Sequence, residues 1–264
     1  YADIFFGLSN DENIKGNDLY FYDLNAKVNY TLNDKNRIFV SGYFGRDVAA
    51  TKSFMMNWGN ATATMRWNHL FNDRLFSNTT FIFSDFDYAM GSKEEESEFT
   101  WKSHIKDYGI KNDYTYFLNP ENQLRFGVHV TYHNFMPAEV KPGAKSYVNE
   151  LKLNSTSALE GAVYLSNEHQ VTQKLTLDYG LRFSSFTSMG PGKVYLYDEA
   201  FETPVDTVKY GRFEKIKSYS GLEPRLSAKY ELNEVSAVKA SYNRTLQYLH
   251  QVSNSTSATP FDVW

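Results

Sequence analysis

From Leu175 to Ser184 the chain alternates without a break. Leu175, Leu177, Tyr179, Leu181 and Phe183 take one set of positions, and Thr176, Asp178, Gly180, Arg182 and Ser184 the other. Successive side chains of an extended strand point to opposite faces, so this segment has one apolar face and one polar, charged face. The pattern returns twice. Leu124, Phe126, Val128, Val130 and Tyr132 oppose Arg125, Gly127, His129, Thr131 and His133; Tyr20, Tyr22, Leu24, Ala26, Val28 and Tyr30 oppose Leu19, Phe21, Asp23, Asn25, Lys27 and Asn29. Further strands are predicted at 1–8, 37–45, 57–69, 75–88, 99–117, 157–169, 219–231 and 236–249, about eleven in all. In 75–88 both faces mix Phe with Thr, Ser or Asp. No segment sustains a helical period, so almost no helix is expected.

Five short polar turns separate these strands: Asn33-Asp34-Lys35-Asn36, Phe71-Asn72-Asp73-Arg74, Asn119-Pro120-Glu121-Asn122, Val171-Thr172-Gln173-Lys174 and Leu232-Asn233-Glu234-Val235. Between them lie longer connections at 9–16, 45–57, 89–99, 137–156 and 188–218, and another from 251 on. Alternating short and long connections suit an up-and-down barrel, with short turns on the periplasmic side and long loops outside. Many of the strands exceed the soluble mode of about 5–6 residues. A tilted strand needs about 9–11 residues to cross a bilayer, and the surplus can project beyond it. A soluble sandwich would show turns every 8–12 residues or so, and a propeller would repeat a blade of about 40–50 residues; no motif recurs here at fixed phase. The pattern therefore predicts an all-β, antiparallel up-and-down transmembrane β-barrel. In it Tyr22, Leu24, Val28, Val128, Val130, Leu177, Tyr179 and Leu181 face lipid.

Composition agrees with this reading. Aromatic residues make up 17% of the 264 positions, with 20 Tyr and 20 Phe, yet no apolar run is long enough for a transmembrane helix. Only alternate residues of a barrel strand meet lipid, and aromatic girdles mark both interfaces. A formal charge of −4 gives no basic footprint for nucleic acid. The absence of cysteine rules out disulfides, thiolate metal sites and a cysteine nucleophile. The chain opens Tyr1-Ala2-Asp3-Ile4-Phe5-Phe6, already strand-like and without a leader or initiator Met, and ends Phe261-Asp262-Val263-Trp264 within a loop. Both ends are expected to be cuts inside a larger protein, residues 1–264 forming part of one barrel domain.

Two stretches carry a family resemblance. One runs Leu222-Glu223-Pro224-Arg225-Leu226-Ser227-Ala228-Lys229-Tyr230, then Val238-Lys239-Ala240-Ser241-Tyr242-Asn243-Arg244-Thr245, Gln247-Tyr248-Leu249-His250, Ser253-Asn254-Ser255-Thr256-Ser257 and Pro260-Phe261-Asp262-Val263-Trp264. The other is Leu175-Thr176-Leu177-Asp178-Tyr179-Gly180-Leu181-Arg182-Phe183. Together they resemble the barrel of a TonB-dependent receptor of the Bacteroidota type, and looser similarity extends through Phe71-Asn72-Asp73-Arg74-Leu75-Phe76-Ser77-Asn78-Thr79-Thr80. The resemblance implies a barrel of about 22 strands closed around an N-terminal plug. It implies the outer membrane of a Gram-negative bacterium, contact with lipopolysaccharide, and energy from the inner-membrane TonB complex through a box near the receptor's N-terminus. A surface lipoprotein is a possible further partner. The plug, the box and the remaining strands are expected outside this sequence. An open half-barrel in lipid would leave two edges of unpaired backbone groups.

Candidate chemistry is sparse. His129 and His133 share a strand face, with His104 on the preceding strand. Same-face positions four apart lie about 13 Å from each other along a strand, too far to share one ion, so these read as polar, lumen-facing histidines. Glu94-Glu95-Glu96 reads as a solvated loop tip, with calcium binding or repulsion of anionic lipid as the alternative. The 188–218 connection is expected to form its own hairpin. Its Tyr195, Tyr197 and Phe201 are the candidate ligand contacts, against the simpler reading that they hold the loop together. The 137–156 connection, with Pro137, Pro142 and Gly143, is second choice. Three sequons, at Asn60, Asn78 and Asn154, are chance matches in a bacterial barrel. Asp85, Asp87 and Asp178 are expected on lumen faces, with no pair poised for acid–base chemistry, and no phosphate-binding, metalloprotease or hydrolase motif is present. No catalytic residue, metal site or cofactor is assigned. The expected function is energised uptake of a scarce ligand. The alternatives are a passive porin or another non-energised barrel serving secretion or adhesion, and a soluble all-β binding module.

Overall fold

The computed structural model describes residues 17–198 and 202–249. The strand expected at 1–8, the connection at 9–16 and the segment from 251 on lie outside the described residues. In chain order the strands are β1 (Asp18–Asn33), β2 (Asn36–Ala50), β3 (Phe54–Asn72), β4 (Leu75–Ser92), β5 (Phe99–Asn119), β6 (Asn122–Pro142), β7 (Leu151–Lys152), β8 (Thr156–Gln170), β9 (Leu175–Met189), β10 (Gly192–Tyr197), β11 (Pro204–Tyr210), β12 (Lys215–Asn233) and β13 (Ser236–Asn243). Ten of them form one meander in the order β1-β2-β3-β4-β5-β6-β8-β9-β12-β13. The two-residue β7 joins this sheet by pairing with β6, and β10 and β11 form a separate hairpin. Every pairing is antiparallel. A single 3-10 turn, Glu95–Ser97, is the one helical element among the described residues.

All five short turns are closed by one device. The side-chain oxygen of Asn33, Asn72, Asn119, Thr172 or Asn233 accepts the backbone N–H two residues on, at 2.9–3.2 Å. A short polar side chain can thus replace a missing ladder partner at the tightest point of the chain.

At the other end of the sheet the strands overrun the expected connections. β2 continues to Ala50 and β3 begins at Phe54, so 45–57 is a hairpin with a short tip, closed by the Thr51 N–H on the Phe54 carbonyl at 2.7 Å. β4 runs on through Ser92 and β5 begins at Phe99, leaving 93–98 as the connection, and β6 reaches Pro142 before β7 pairs back onto it. The physical reason is that a ladder needs only backbone groups. Pairing therefore continues through 45–50 and 54–57, where the side chains no longer alternate. The 188–218 connection contains the β10–β11 hairpin.

The strand expected at 236–249 stops at Asn243. Pro224, opposite this point, has no N–H to extend the ladder, and its carbonyl takes the Arg244 N–H at 3.1 Å. Residues 244–249 then turn across one face of the sheet, where Tyr248 and Leu249 pack against Phe135, Ala158 and Phe186.

The registers assign every strand's faces. Val28, Val40, Met65, Phe81, Ile110 and Val130 are successive direct neighbours across β1 to β6. Val128, Val163, Phe183 and Leu222 continue such rows across β6, β8, β9 and β12. This outward face is apolar and exposed: Leu24 is 66% accessible, Val28 65% and Val163 53%. The opposite, inward face carries most of the charged side chains. Asp85 and Asp87, expected inward, share the outward face with Phe81 and Phe83; Asp178 does lie inward. The mixed faces of 75–88 left that strand unphased, and only its pairing with Met65 and Ile110 sets it. On the outward face the Arg46 guanidinium lies over Gly59 and reaches Asp87 on the next strand at 2.7 Å, while Lys106 pairs with Asp85 at 3.0 Å.

Candidate functional site on the inward face

One row on the inward face runs straight across five strands: Asp113, Gly127, Tyr164, Arg182 and Glu223. Tyr164 starts on β8, crosses β6 and donates its hydroxyl to Asp113 on β5. It can do so because Gly127 stands in its path. A Cβ there would sit 2.3 Å from the Asn112 carbonyl oxygen and 2.9 Å from the Tyr164 hydroxyl. Asp113 also pairs with Lys111 at 3.0 Å. At the other end of the row Glu223 is only 3% accessible and accepts the Ser184 hydroxyl. Arg182 and Arg225 both lean towards this one carboxylate, at 3.7 and 3.9 Å. A buried carboxylate needs such neighbours to offset its lost hydration.

The adjoining row on the side of the short turns reads Arg125, Ser166, Gly180, Arg225 and Asn243. Arg125 pairs with Glu168 at 3.0 Å. Two long cations thus flank two small residues. Between them opens a cavity of about 450 Å³ lined by Lys111, Arg125, Tyr164, Asp178, Arg182 and Arg225, among others.

Towards the loop end the inward face is filled by the chain itself. His133 lies between Asp107, at 2.8 Å from Nδ1, and Glu160, at 3.8 Å from Nε2. Its ring stacks on Phe135 at 5.7 Å, and Phe186 stacks on Tyr248 at 5.8 Å. The Tyr248 hydroxyl donates to the Ser184 carbonyl at 3.1 Å, and Leu246 covers Gly221, where a Cβ would come within 2.4 Å of its methyl. Sequence reasoning placed 244–249 in a strand and missed this strap; its one signal was Pro224 opposite the point of departure.

The residues singled out from the sequence are dispersed. His129 and His133 lie inward, whereas His104 lies outward beside Asp87, so the three do not converge. Glu95 pairs with Lys145, tying the 89–99 connection to the 137–156 connection. Tyr195 and Tyr197 sit on β10 opposite Thr207 and Pro204 with exposed rings; Phe201 lies outside the described residues. Tyr22, Leu24, Val28, Val128, Val130, Tyr179 and Leu181 lie exposed on the outward face, with Leu177 half-buried among them.

An antiparallel meander with an exposed apolar outer face and a charged, cross-linked inner face is the wall of a membrane-spanning β-barrel. Residues 2–260 match the family described as TonB dependent receptor-like, beta-barrel, and the chain belongs to that family. It is an outer-membrane protein of the Gram-negative type, in a family of receptors and transporters rather than enzymes. Among proteins of curated function none matches the sequence.

Solved structures share the fold. The copper transporter OprC superposes with a TM-score of 0.67 at 10% identity, covering 88% of this chain and 39% of its own. BauA, the ferric preacinetobactin receptor of Acinetobacter baumannii, gives 0.61 at 12% identity, covering 84% and 39%. The FrpB iron transporter of Neisseria meningitidis (F3-3 variant) gives 0.60 at 14% identity, covering 85% and 37%. The chain thus spans about two fifths of the length of these structures.

Proposed function

We propose that residues 1–264 form part of one barrel domain in a receptor that imports a scarce ligand with energy delivered by the TonB complex. The observation that carries this reading is the continuous exposed apolar face. Cross-strand rows such as Val28-Val40-Met65-Phe81-Ile110-Val130 form a surface far larger than a soluble protein leaves in water, and lipid is its natural partner. Tyr22, Leu24, Val28, Val128, Val130, Leu177, Tyr179 and Leu181 are its lipid contacts, with lipopolysaccharide towards the loop end. The inward face borders the lumen, further strands complete the barrel beyond β1 and β13, and a plug carries the box that TonB pulls. Tyr195 and Tyr197 on the outer hairpin are the first ligand contacts. The structural neighbours named for copper and ferric ligands make a metal or its chelate the first cargo to test.

The test is accumulation of labelled copper and of labelled ferric catecholate in cells whose only such receptor is the full-length protein. Uptake against the gradient that a protonophore abolishes supports the reading. Uptake that the protonophore leaves unchanged makes the protein a passive porin and overturns it.

A further inference from the structure

We infer that a basic belt on the outward face at the loop end, centred on Lys102, Lys141 and Lys152, is a docking surface for the phosphate groups of an anionic glycolipid of the outer leaflet. The inference rests on the proposed lipid contact of this face and names the headgroup chemistry that the contact recognises.

The two ends of the outward face differ. Towards the turns it carries rings: Tyr30, Trp67, Tyr116, Tyr179 and Tyr230. Such amphipathic rings suit any membrane–water boundary. On that side of the Lys106 row, every Lys and Arg of the described main-sheet strands points inward, as Lys27, Arg66, Lys111, Arg125, Arg182 and Lys229 do. The outward cations of the sheet all stand at the loop end: Arg46, Lys102, Lys106, Lys141, Lys152 and Lys215. Two like leaflets would favour the same girdle at both ends. A face with rings at one end and cations at the other fits a membrane whose one leaflet is strongly anionic.

The belt keeps charge to spare. Asp18, Asp85, Asp87 and Glu139 share the outward face at this end. Asp87 holds Arg46 at 2.7 Å and Asp85 holds Lys106 at 3.0 Å, and Asp18 stands on β1, four strands from Lys102. Glu139 meets three lysines alone. It lies between Lys102 and Lys152 in one cross-strand row, and takes Lys152 at 3.1 Å and Lys141 at 3.6 Å. Lys102 enters no ion pair among the described residues. The Lys141 side chain is 60% accessible and that of Lys152 67%. Beside them a hollow of about 360 Å³ opens, bounded by Arg46, Asn57, Ala89, Lys102 and His104 among others. Ala89 and Asn57 follow Lys102 in its row, so small and neutral side chains separate it from Arg46. The last apolar row below reads Phe83, Tyr108, Tyr132 and Leu159. Lys102 stands six residues beyond Tyr108, about 14 Å higher on a strand tilted at about 45°. That is the level of a headgroup rather than of acyl chains, and long lysine stems can lean along the wall towards it.

The experiment immobilises the full-length protein in neutral maltoside micelles, with divalent cations chelated. It measures retention of radiolabelled deep-rough lipopolysaccharide before and after chemical dephosphorylation. Saturable retention of the phosphorylated form is expected, with the dephosphorylated form about tenfold weaker or worse. K102Q/K141Q/K152Q should weaken the phosphorylated form by about tenfold or more and K102Q alone by about fivefold, since each cation near such a surface contributes about 1 kcal/mol. K229Q/K239Q, a directly opposed inward pair, should change nothing. Lys102 holds no ion pair, so K102Q should keep the parent's melting temperature and reports even if the triple variant is unstable. The inference is overturned if the two forms are retained equally, if K102Q or the triple variant retains the lipid as the parent does, or if inorganic phosphate at matched concentration displaces it. Equal retention of both forms leaves the lipid contact of the outward face standing. That reading fails separately, if the full-length protein is monodisperse in buffer without detergent.

Discussion

The two faces of this sheet solve opposite problems with the same strands. The outward face has few polar groups to satisfy along its apolar rows, and most of its apolar side chains stand exposed, the Phe213 ring on Tyr132 being a contact near the loop end. The inward face is crowded with charge and is held by side chains that bridge from strand to strand. Tyr164 reaches over Gly127 to Asp113, and residues 244–249 lie across Gly221 towards Ser184. The lesson is that specificity of packing resides on the polar face. On the proposed lipid-facing side, side chains need only be apolar and can vary, because lipid adapts to them. Inward side chains need particular partners, because buried polar groups without hydrogen bonds are costly.

The sharpest way to break this comparison is to place a charge on each face. Val128→Arg or Tyr179→Arg should cost about 2–4 kcal/mol if the site lies near the bilayer midplane, whereas Thr131→Arg should cost little. Denaturant unfolding of the full-length protein in lipid vesicles measures both. Equal costs would reject the face assignment. The next largest effect concerns glycine. Gly127→Ala forces its new Cβ against the Asn112 carbonyl and the Tyr164 hydroxyl and should cost about 1–3 kcal/mol. Gly161→Ala, on the outward face with nothing within 4 Å of a Cβ, should be neutral or slightly stabilising.

Tyr164→Phe keeps the ring over Gly127 and deletes only the hydrogen bond, so a loss of about 1 kcal/mol is expected. The difference between Gly127→Ala and Tyr164→Phe in the same melt separates steric from polar support. The smallest effect lies off both faces. Asn72→Ala should cost about 0.5–1 kcal/mol by removing the acceptor for the Arg74 N–H, and Asn33→Ala a similar amount at the first turn. A cost at these turns as large as that at Val128 would show that the connections, not the faces, dominate stability.

The strands and their turns were legible because the information is local. Alternation in 19–30, 124–133 and 175–184 states which residues share a face, and an Asn or Thr at each short turn carries its own acceptor. What failed was what alternation cannot encode. The connection at 45–57 looked like a loop because its side chains follow no pattern, yet its backbone pairs nearly to the tip. Asp85 and Asp87 were placed on the wrong side because 75–88 has no dominant face. Of the candidate ligand contacts only the hairpin that carries Tyr195 and Tyr197 was foreseen; the inward rows were not.

The sequence by itself determined the class of the protein: period-two strands, short Asx-type turns and the family's own strand motifs are all written in neighbouring residues. Only the tertiary structure decided which residues meet. Arg125, Gly180 and Arg225 are far apart along the chain, and so are Asp113, Tyr164 and Glu223. Each falls into one row through registers set strand by strand across five strands. A slip of one residue in any of those registers moves a whole strand's side chains to the other face. The inward site is therefore a property of the accumulated pairing and of the spaces that Gly127 and Gly180 leave within it.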